Sequence, residues 1–428
     1  MHNRILKRSA AVSIASALLA VQVDAQEESV GDTADVVMSL AWGQSDNLFQ
    51  EESGTDRGSY SALGLLVDFS RESQRLLLDI DGDIEYREYS ESQLEDEPFG
   101  TLNAQIEIRP IPDRFSWIVS NLYGEGRADP LAPRGPANRE QVNITSTGPA
   151  LFLPLGQRTE MRLQSLVGKR NYEDTVGADS DTVDSRIGVH RQISSTAEAS
   201  LAFSRRDVEY DAPEFDNEIE RTYISYTKEL ASGQVSMAVG SNRVDFIDRA
   251  ETLPYFDMDW TRDVSARSSL SLQFDNFLTD TSDSFRGGQD LDEVLQSVDV
   301  FERSSTGLEF SFRATRSQYS LGGRIGKDRY ENAGQFDNDI AYLYFLAERL
   351  LTTEVTGGLE VAISERDYQS TALRDDELGM SIWVEKSFGR RLSFRADYEH
   401  RDSEYQIFAG YDENIIRFSM QYDLNPRE

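Results

Sequence analysis

From residue 34 to residue 424 the chain alternates apolar and polar residues with a period of two, and no sustained 3.6-residue pattern interrupts it. In "RLLLDIDGDIEYREY" (75–89), Leu76, Leu78, Ile80, Ile84 and Tyr86 share one parity, while Asp79, Asp81, Asp83 and Glu85 take the other. Successive side chains of a strand point to opposite faces, so this stretch has one oily face and one acidic face. It is not a calcium loop. Counted from Asp79, Ile84 stands where such a loop needs glycine and Ser90 where it needs glutamate. About twenty such segments follow one another, including "GTLNAQIEIR" (100–109), "TEMRLQSLVG" (159–168) and "RLSFRADYEH" (391–400). Most are long enough to cross a bilayer at a tilt. Strands that meet hydrocarbon must pair every backbone group, so they span only as a closed barrel.

The connections sort into two kinds. Tight ones include "PIPD" (110–113), "PLGQ" (154–157), "LASG" (230–233) and "FGRR" (388–391). Longer, acidic ones include "SESQLEDEP" (90–98), "ADPLAPRGPANR" (128–139), "DAPEFDNE" (211–218) and residues 279–298. Short turns on one side and long loops on the other mark a barrel of the outer-membrane type. The expected fold is therefore all-β: a transmembrane antiparallel β-barrel of about 20 strands, with short periplasmic turns and longer acidic extracellular loops.

The first residues read as an export signal. Arg4, Lys7 and Arg8 precede an apolar stretch at 10–21, and Val23 and Ala25 fit the small-residue rule for a cut before Gln26. The expected organisation is a signal peptide at 1–25, a short periplasmic segment at 26–33, the barrel at 34–424 and a tail at 425–428. Export would place the barrel in a bacterial outer membrane. There are no cysteines, which excludes disulfides, thiol chemistry and a lipid-anchored N-terminus. A net charge of −33 excludes binding to nucleic acid through its phosphates. No apolar run beyond the signal is long enough for a membrane helix.

Parity assigns the faces. Leu76, Leu78, Ile80, Ile84 and Tyr86 should meet lipid, and Asp79, Asp81, Asp83 and Glu85 the lumen. The same sorting puts Arg75, Arg87, Arg109, Arg114, Arg162, Arg186, Arg206, Arg221, Arg324, Arg395 and Arg417 inside. A charge at the bilayer midplane costs about 2–4 kcal/mol for Arg or Lys, which enforces the sorting. Arg243 breaks it. The interior is expected to be wet, and residues 279–298, the longest loop, are the candidate constriction, with a solvated external loop as the alternative.

Upward strands end in an aromatic residue beside charge: Tyr89, Tyr172, Tyr210, Tyr330, Tyr368 and Tyr405, with Phe49, Tyr123, Phe246 and Phe277 at the intervening positions. On an unbroken pleat all but Tyr123 point inward, as a ring at the outer mouth that could stack on sugars. A bulge at each strand end would instead turn them into the interfacial belt.

No nucleophile–base grouping can be assembled around His190, expected inside, or His400, expected outside, and no enzyme activity, cofactor or resident metal is expected. The acid runs "LEDE" (94–97) and "DLDE" (290–293) read as solvated loop acids or as holders of divalent cations that bridge lipopolysaccharide. Expected partners are outer-membrane lipid and lipopolysaccharide, the barrel-assembly machinery, and polysaccharide.

"SDNLF" (45–49), "GPALFLPLGQRTEMRLQSLVGKRNYED" (148–174), "FDNEIERTYISY" (215–226) and "FDNDIAYLYFL" (336–346) resemble the beta-barrel porin 2 family. Its members include outer-membrane barrels associated with exopolysaccharide operons. The resemblance runs over essentially the whole mature chain through loose motifs, and implies an outer-membrane barrel tied to exopolysaccharide secretion or glycan passage. It supplies no catalytic or binding residue. The C-terminus departs from the usual barrel ending: Phe418 and Tyr422 are in phase, but the strand closes on Leu424 and adds "NPRE". A diffusion porin with cation preference, and a closed barrel serving as adhesin or anchor, stand as alternative readings.

Overall fold

In the computed structural model, residues 33–425 are described apart from 51–56, 92–93, 95, 127–137, 174–177, 247–248, 281–299, 370–372 and 406–409. The expected signal peptide, nearly all of segment 26–33, residues 426–428 and "DLDE" lie outside the described residues.

Twenty antiparallel strands form one sheet that closes on itself. The first ten are β1 (Thr33–Ser45), β2 (Gly58–Glu72), β3 (Leu76–Tyr89), β4 (Glu97–Ile111), β5 (Phe115–Gly126), β6 (Glu140–Pro154), β7 (Thr159–Tyr172), β8 (Ser180–Ser194), β9 (Ala197–Tyr210) and β10 (Asn217–Leu230). The others are β11 (Gly233–Phe246), β12 (Ala250–Ser265), β13 (Ser268–Asp280), β14 (Val300–Arg313), β15 (Ser317–Tyr330), β16 (Asn338–Leu350), β17 (Val355–Tyr368), β18 (Leu373–Phe388), β19 (Leu392–Tyr405) and β20 (Tyr411–Asp423). At one end the strands join through turns of two to four residues, and at the other through connections of three to nineteen. We call these the periplasmic and outer ends.

Because pairing is continuous, one parity can be followed around the whole wall. The outward row exposes Leu40, Leu201, Ile224, Val239, Ile325 and Leu343, each more than half accessible. A closed sheet that turns such side chains outward is built for hydrocarbon. On β1 to β5, Val36, Val67, Leu78, Ile80, Ile84 and Leu102 share the outward parity and pack into one buried apolar cluster with Phe69 and Tyr123.

Toward the outer end the same outward row turns charged. Arg205 meets Glu218 at 2.8 Å, Arg243 meets Asp245 at 2.8 Å, and Arg374 meets Glu365 at 3.0 Å, while Arg329 contacts Asp339. Arg243, the exception to the sorting, therefore does point outward, but in this belt above the apolar band, two residues beyond Ser241 and four beyond Val239.

β1 and β20 close the barrel from Val37↔Asp423 to Ser45↔Ile415. Trp42 stacks on Phe418 across the seam, with centroids 6.4 Å apart. The outer end is fastened by the residues of "SDN": Ser45 Oγ donates to Glu413 at 2.6 Å, Asp46 accepts from the Asn414 backbone N–H at 2.7 Å, and Asn47 Nδ2 donates to the Asp412 carbonyl at 3.0 Å.

Candidate functional site: the lumen and its outer mouth

Inward parity holds Asp79, Asp81, Asp83 and Glu85, together with Arg87, Arg109, Arg162, Arg324 and Arg395. Arg186, Arg206, Arg221 and Arg417 share that face, but Arg75 and Arg114 do not belong to strands. Arg75 sits exposed in the turn between β2 and β3, so its predicted place on the lumen wall is corrected to the periplasmic rim.

Four of these nine inward arginines are neutralised by an acid two residues away on the same face of the same strand. Arg87 holds Glu85 at 2.6 Å, Arg109 holds Glu107 at 3.1 Å, Arg162 holds Glu160 at 2.8 Å and Arg395 holds Asp397 at 2.6 Å. Arg417 also reaches Glu85. In contrast, Asp79, Asp81 and Asp83 are exposed to the lumen, and Asp81 stands directly opposite Asp68. Among the described residues none of these four carboxylates has a salt bridge. The wall of β2 and β3 therefore carries net negative charge toward the interior.

The mouth is built from the aromatic repeat. Tyr89, Tyr172, Tyr210, Tyr330, Tyr368 and Tyr405 all have inward parity, and the pleat is unbroken at their strand ends. Among the described residues, register shifts occur only next to periplasmic turns, at Ile108/Ile111, Gln192/Ser194 and Asp263/Ser265. Five of the six rings are buried, Tyr368 to 2 % exposure, with Tyr89 half-buried. Tyr330 stacks on Phe301 at 4.9 Å and meets Phe336 edge-on at 5.8 Å, and Tyr210 meets Phe215 at 6.4 Å. Five of the six therefore present no open face to sugar, which corrects their expected role as stacking platforms, while Tyr89 keeps a partly exposed ring.

The same repeat shapes the loops. The backbone N–H of Tyr89, Tyr172, Tyr210 and Tyr330 donates to the side chains of Asp96, Asp179, Asp216 and Asp337 at 3.1, 2.7, 2.7 and 2.7 Å. A carboxylate that accepts a backbone N–H closes the loop six or seven residues on. In the "FDN" segments at 215–217 and 336–338 the asparagine then donates to the phenylalanine carbonyl, Asn217 to Phe215 at 3.1 Å and Asn338 to Phe336 at 2.8 Å. Asp96 of "LEDE" thus has a structural task.

One hairpin leaves the wall. Leu278 and Val300 have outward parity at the outer ends of β13 and β14, yet they are buried against Ile219 and Val244 from the inner face of β10 and β11. Arg221 on β10 donates to the Leu278 carbonyl at 3.0 Å and lies over the Tyr255 ring at 4.7 Å. Asp280 reaches Arg170 of β7 at 3.0 Å and Arg206 of β9 at 3.8 Å. The end of the β13–β14 hairpin is therefore folded into the mouth. Of the segment expected to form a constriction, Thr279 and Asp280 are strand residues held there, and 281–298 lie outside the described residues. No sequence pattern announces this bend, because an acid such as Asp280 at the outer end of an outward row is what the charged belt shows on other strands, as at Asp245 and Asp339.

Other inward aromatics lie flat on the wall where the neighbouring strand has glycine. A Cβ on Gly358 would fall 2.2 Å from the Trp383 ring, and one on Gly322 would fall 2.3 Å from Tyr344. Arg395 covers Trp383 at 4.5 Å. A hollow of about 360 Å³ lies between Arg87, Phe99 and Arg139 on one side and Glu360, Glu399 and Arg401 on the other. His190 faces inward against Glu198 at 2.9 Å, and His400 outward against Asn414 at 3.1 Å. Among the described residues Glu218, Glu220 and Asp245 alone have metal-ligand spacing. They belong to the outer belt, where Arg205 and Arg243 already hold Glu218 and Asp245.

No protein-family model matches the chain. No curated protein is significantly similar to it. Among solved structures it is similar to OccK3 (OpdO) of Pseudomonas aeruginosa, at 11% identity over 92% of this chain and 96% of that chain, with a TM-score of 0.38. OpdQ of Pseudomonas aeruginosa is 11% identical over 92% and 98% of the two chains, with a TM-score of 0.43. The copper transporter OprC is 10% identical over 93% and 81%, with a TM-score of 0.47. These are likenesses of barrel architecture at low identity.

Proposed function

We propose that the chain is an outer-membrane channel that passes small polar solutes, prefers cations, and is narrowed at its outer mouth by its own β13–β14 hairpin. The carrying observation is that hairpin, packed inside the wall and tied to Arg170 and Arg221. A barrel of this size, between the 16–18 strands of water-filled porins and the 22 of plugged transporters, leaves a lumen that side chains alone do not fill. Cation preference follows from Asp68, Asp79, Asp81 and Asp83, since charge lining a pore sets ion selectivity. The outward apolar row suits lipid, and the paired charges above it suit the headgroup level of lipopolysaccharide. Export of a whole exopolysaccharide strand fits less well, because the hairpin and the buried tyrosines occupy the mouth.

The test is single-channel recording of the refolded mature chain in a planar bilayer under a salt gradient. Steady unitary steps with a cation-selective reversal potential are expected. Silence from protein shown to be inserted, or anion selectivity, would overturn the reading.

A further inference from the structure

The wall of β13 to β16 has a recess in its inner face. Gly307 leaves a gap in the row between Gln273 on β13 and Arg324 on β15, its two cross-strand neighbours. Nothing fills that gap: the nearest heavy atom to a Cβ placed on Gly307 would be Cβ of Gln273, at 3.7 Å. Two tyrosines border the recess. Tyr342 and Tyr344 have centroids 5.8 Å apart at an interplanar angle of 31°, and Tyr344 is laid against the wall by Gly322. Glu309 is held in place by Tyr344 Oη at 2.8 Å and Ser311 Oγ at 2.9 Å, and Arg324 by Ser305 at 3.0 Å. The hollow measures about 270 Å³, near the lower bound of ~300–1,000 Å³ for small-molecule sites.

We propose that this recess is a saccharide site that takes one pyranose ring of a neutral oligosaccharide. The proposal rests on the channel reading, since a solute meets the recess only by way of the lumen. A pyranose has apolar C–H faces and a rim of hydroxyls that both donate and accept. The recess offers the matching set: an aromatic wall, an amide from Gln273, a fixed acceptor in Glu309 and a fixed donor in Arg324. Asp259 and Glu309 in the lining oppose an anion, and Arg324 at the rim stands against a planar cation that would also stack on a tyrosine. The polar groups are held by neighbours before any ligand arrives, which lowers the ordering cost of binding.

The experiment is saturation-transfer NMR on the folded barrel in detergent, with a panel of neutral gluco-, galacto- and manno-configured oligosaccharides. Saturation transfer to at least one member is expected. Gly307→Val fills the gap, its Cβ in ordinary contact with Gln273 at 3.7 Å, and Tyr342→Ala removes part of the aromatic wall. Each should weaken binding about tenfold or more, as truncating a buried contact residue does, while leaving the folded spectrum and the unitary conductance in salt intact. Transfer to no sugar in the panel, or unchanged binding in Gly307→Val, would overturn the site. A chain that conducts but binds no sugar keeps the channel and loses the site. One that binds sugar but never conducts keeps the site and loses the channel.

Discussion

Arg170 and Asp280 form a buried ion pair at 3.0 Å although they lie 110 residues apart and on strands six places apart in the sheet. The two side chains are 3% and 1% exposed. Removing one partner of such a pair strands the other charge, at about 3–5 kcal/mol. Asp280→Ala should therefore release the hairpin end, raising unitary conductance and adding open-state noise. Asp280→Asn, which still accepts a hydrogen bond, should fall between. Single-channel traces of the three proteins decide it, and indistinguishable traces would remove the hairpin as the constriction.

Ion selectivity should reside on β3. Replacing Asp79, Asp81 and Asp83 together by asparagine removes three exposed inward charges without breaking a salt bridge. The cation-to-anion permeability ratio should fall by about half or more at low salt and less at high salt, where screening is strong. Reversal potentials at two salt concentrations provide the check.

The outward row should tolerate charge only at its outer end. Val239→Arg puts a guanidinium into the apolar band and should cost about 2–4 kcal/mol in urea unfolding from lipid vesicles. Arg243→Val, four residues along the same row, loses an exposed pair with Asp245 and should change stability by less than about 1 kcal/mol. Equal effects from the two would contradict the assigned height of the belt.

Gly358 should resist any side chain. Alanine there would press on the Trp383 ring from 2.2 Å, and forcing atoms into a filled site costs about 1–3 kcal/mol. Gly358→Ala should lower the urea midpoint and shift Trp383 emission. Gly379, with nothing within 4 Å of its Cβ position, is the matched control and should accept alanine.

The alternation of Leu78, Ile80 and Ile84 with Asp79, Asp81 and Asp83 was legible because each residue's face depends only on parity, which one strand sets locally. Strand number was legible for the same reason, since turn residues and the tyrosine repeat punctuate the chain once per hairpin. Height along the barrel axis was not. Arg243 contradicts the lipid-facing rule only if its depth is unknown, and depth depends on strand tilt and on where neighbouring strands begin. The tyrosines show a third limit: their direction followed from the pleat, but the fold of the connection that lays Phe215 on Tyr210 and Phe336 on Tyr330, and the approach of Phe301 from the neighbouring strand, did not. Asp280 was the least legible residue of all. Its partner Arg170 is an ordinary inward arginine, and only the three-dimensional bend of β13 brings the two together. The recess at Gly307 left a fainter trace: Tyr342 and Tyr344 share a parity with Ala362 and Ser364 on the next strand, which would have marked them as inward.

The seam between β1 and β20 has a consequence for the order of assembly. Ser45 and Glu413 are 368 residues apart, so the fastening of "SDN" cannot form until nearly the whole polypeptide has been delivered. Until then the sheet has two unpaired edges, each a template for joining another chain. A product that stops short of Tyr411 keeps both edges and has nothing to dock Asp46 or Trp42 against. Arrival of β20 and disappearance of the sheet's sticky borders are thus the same event, and the residues that register it sit at the first strand's outer tip.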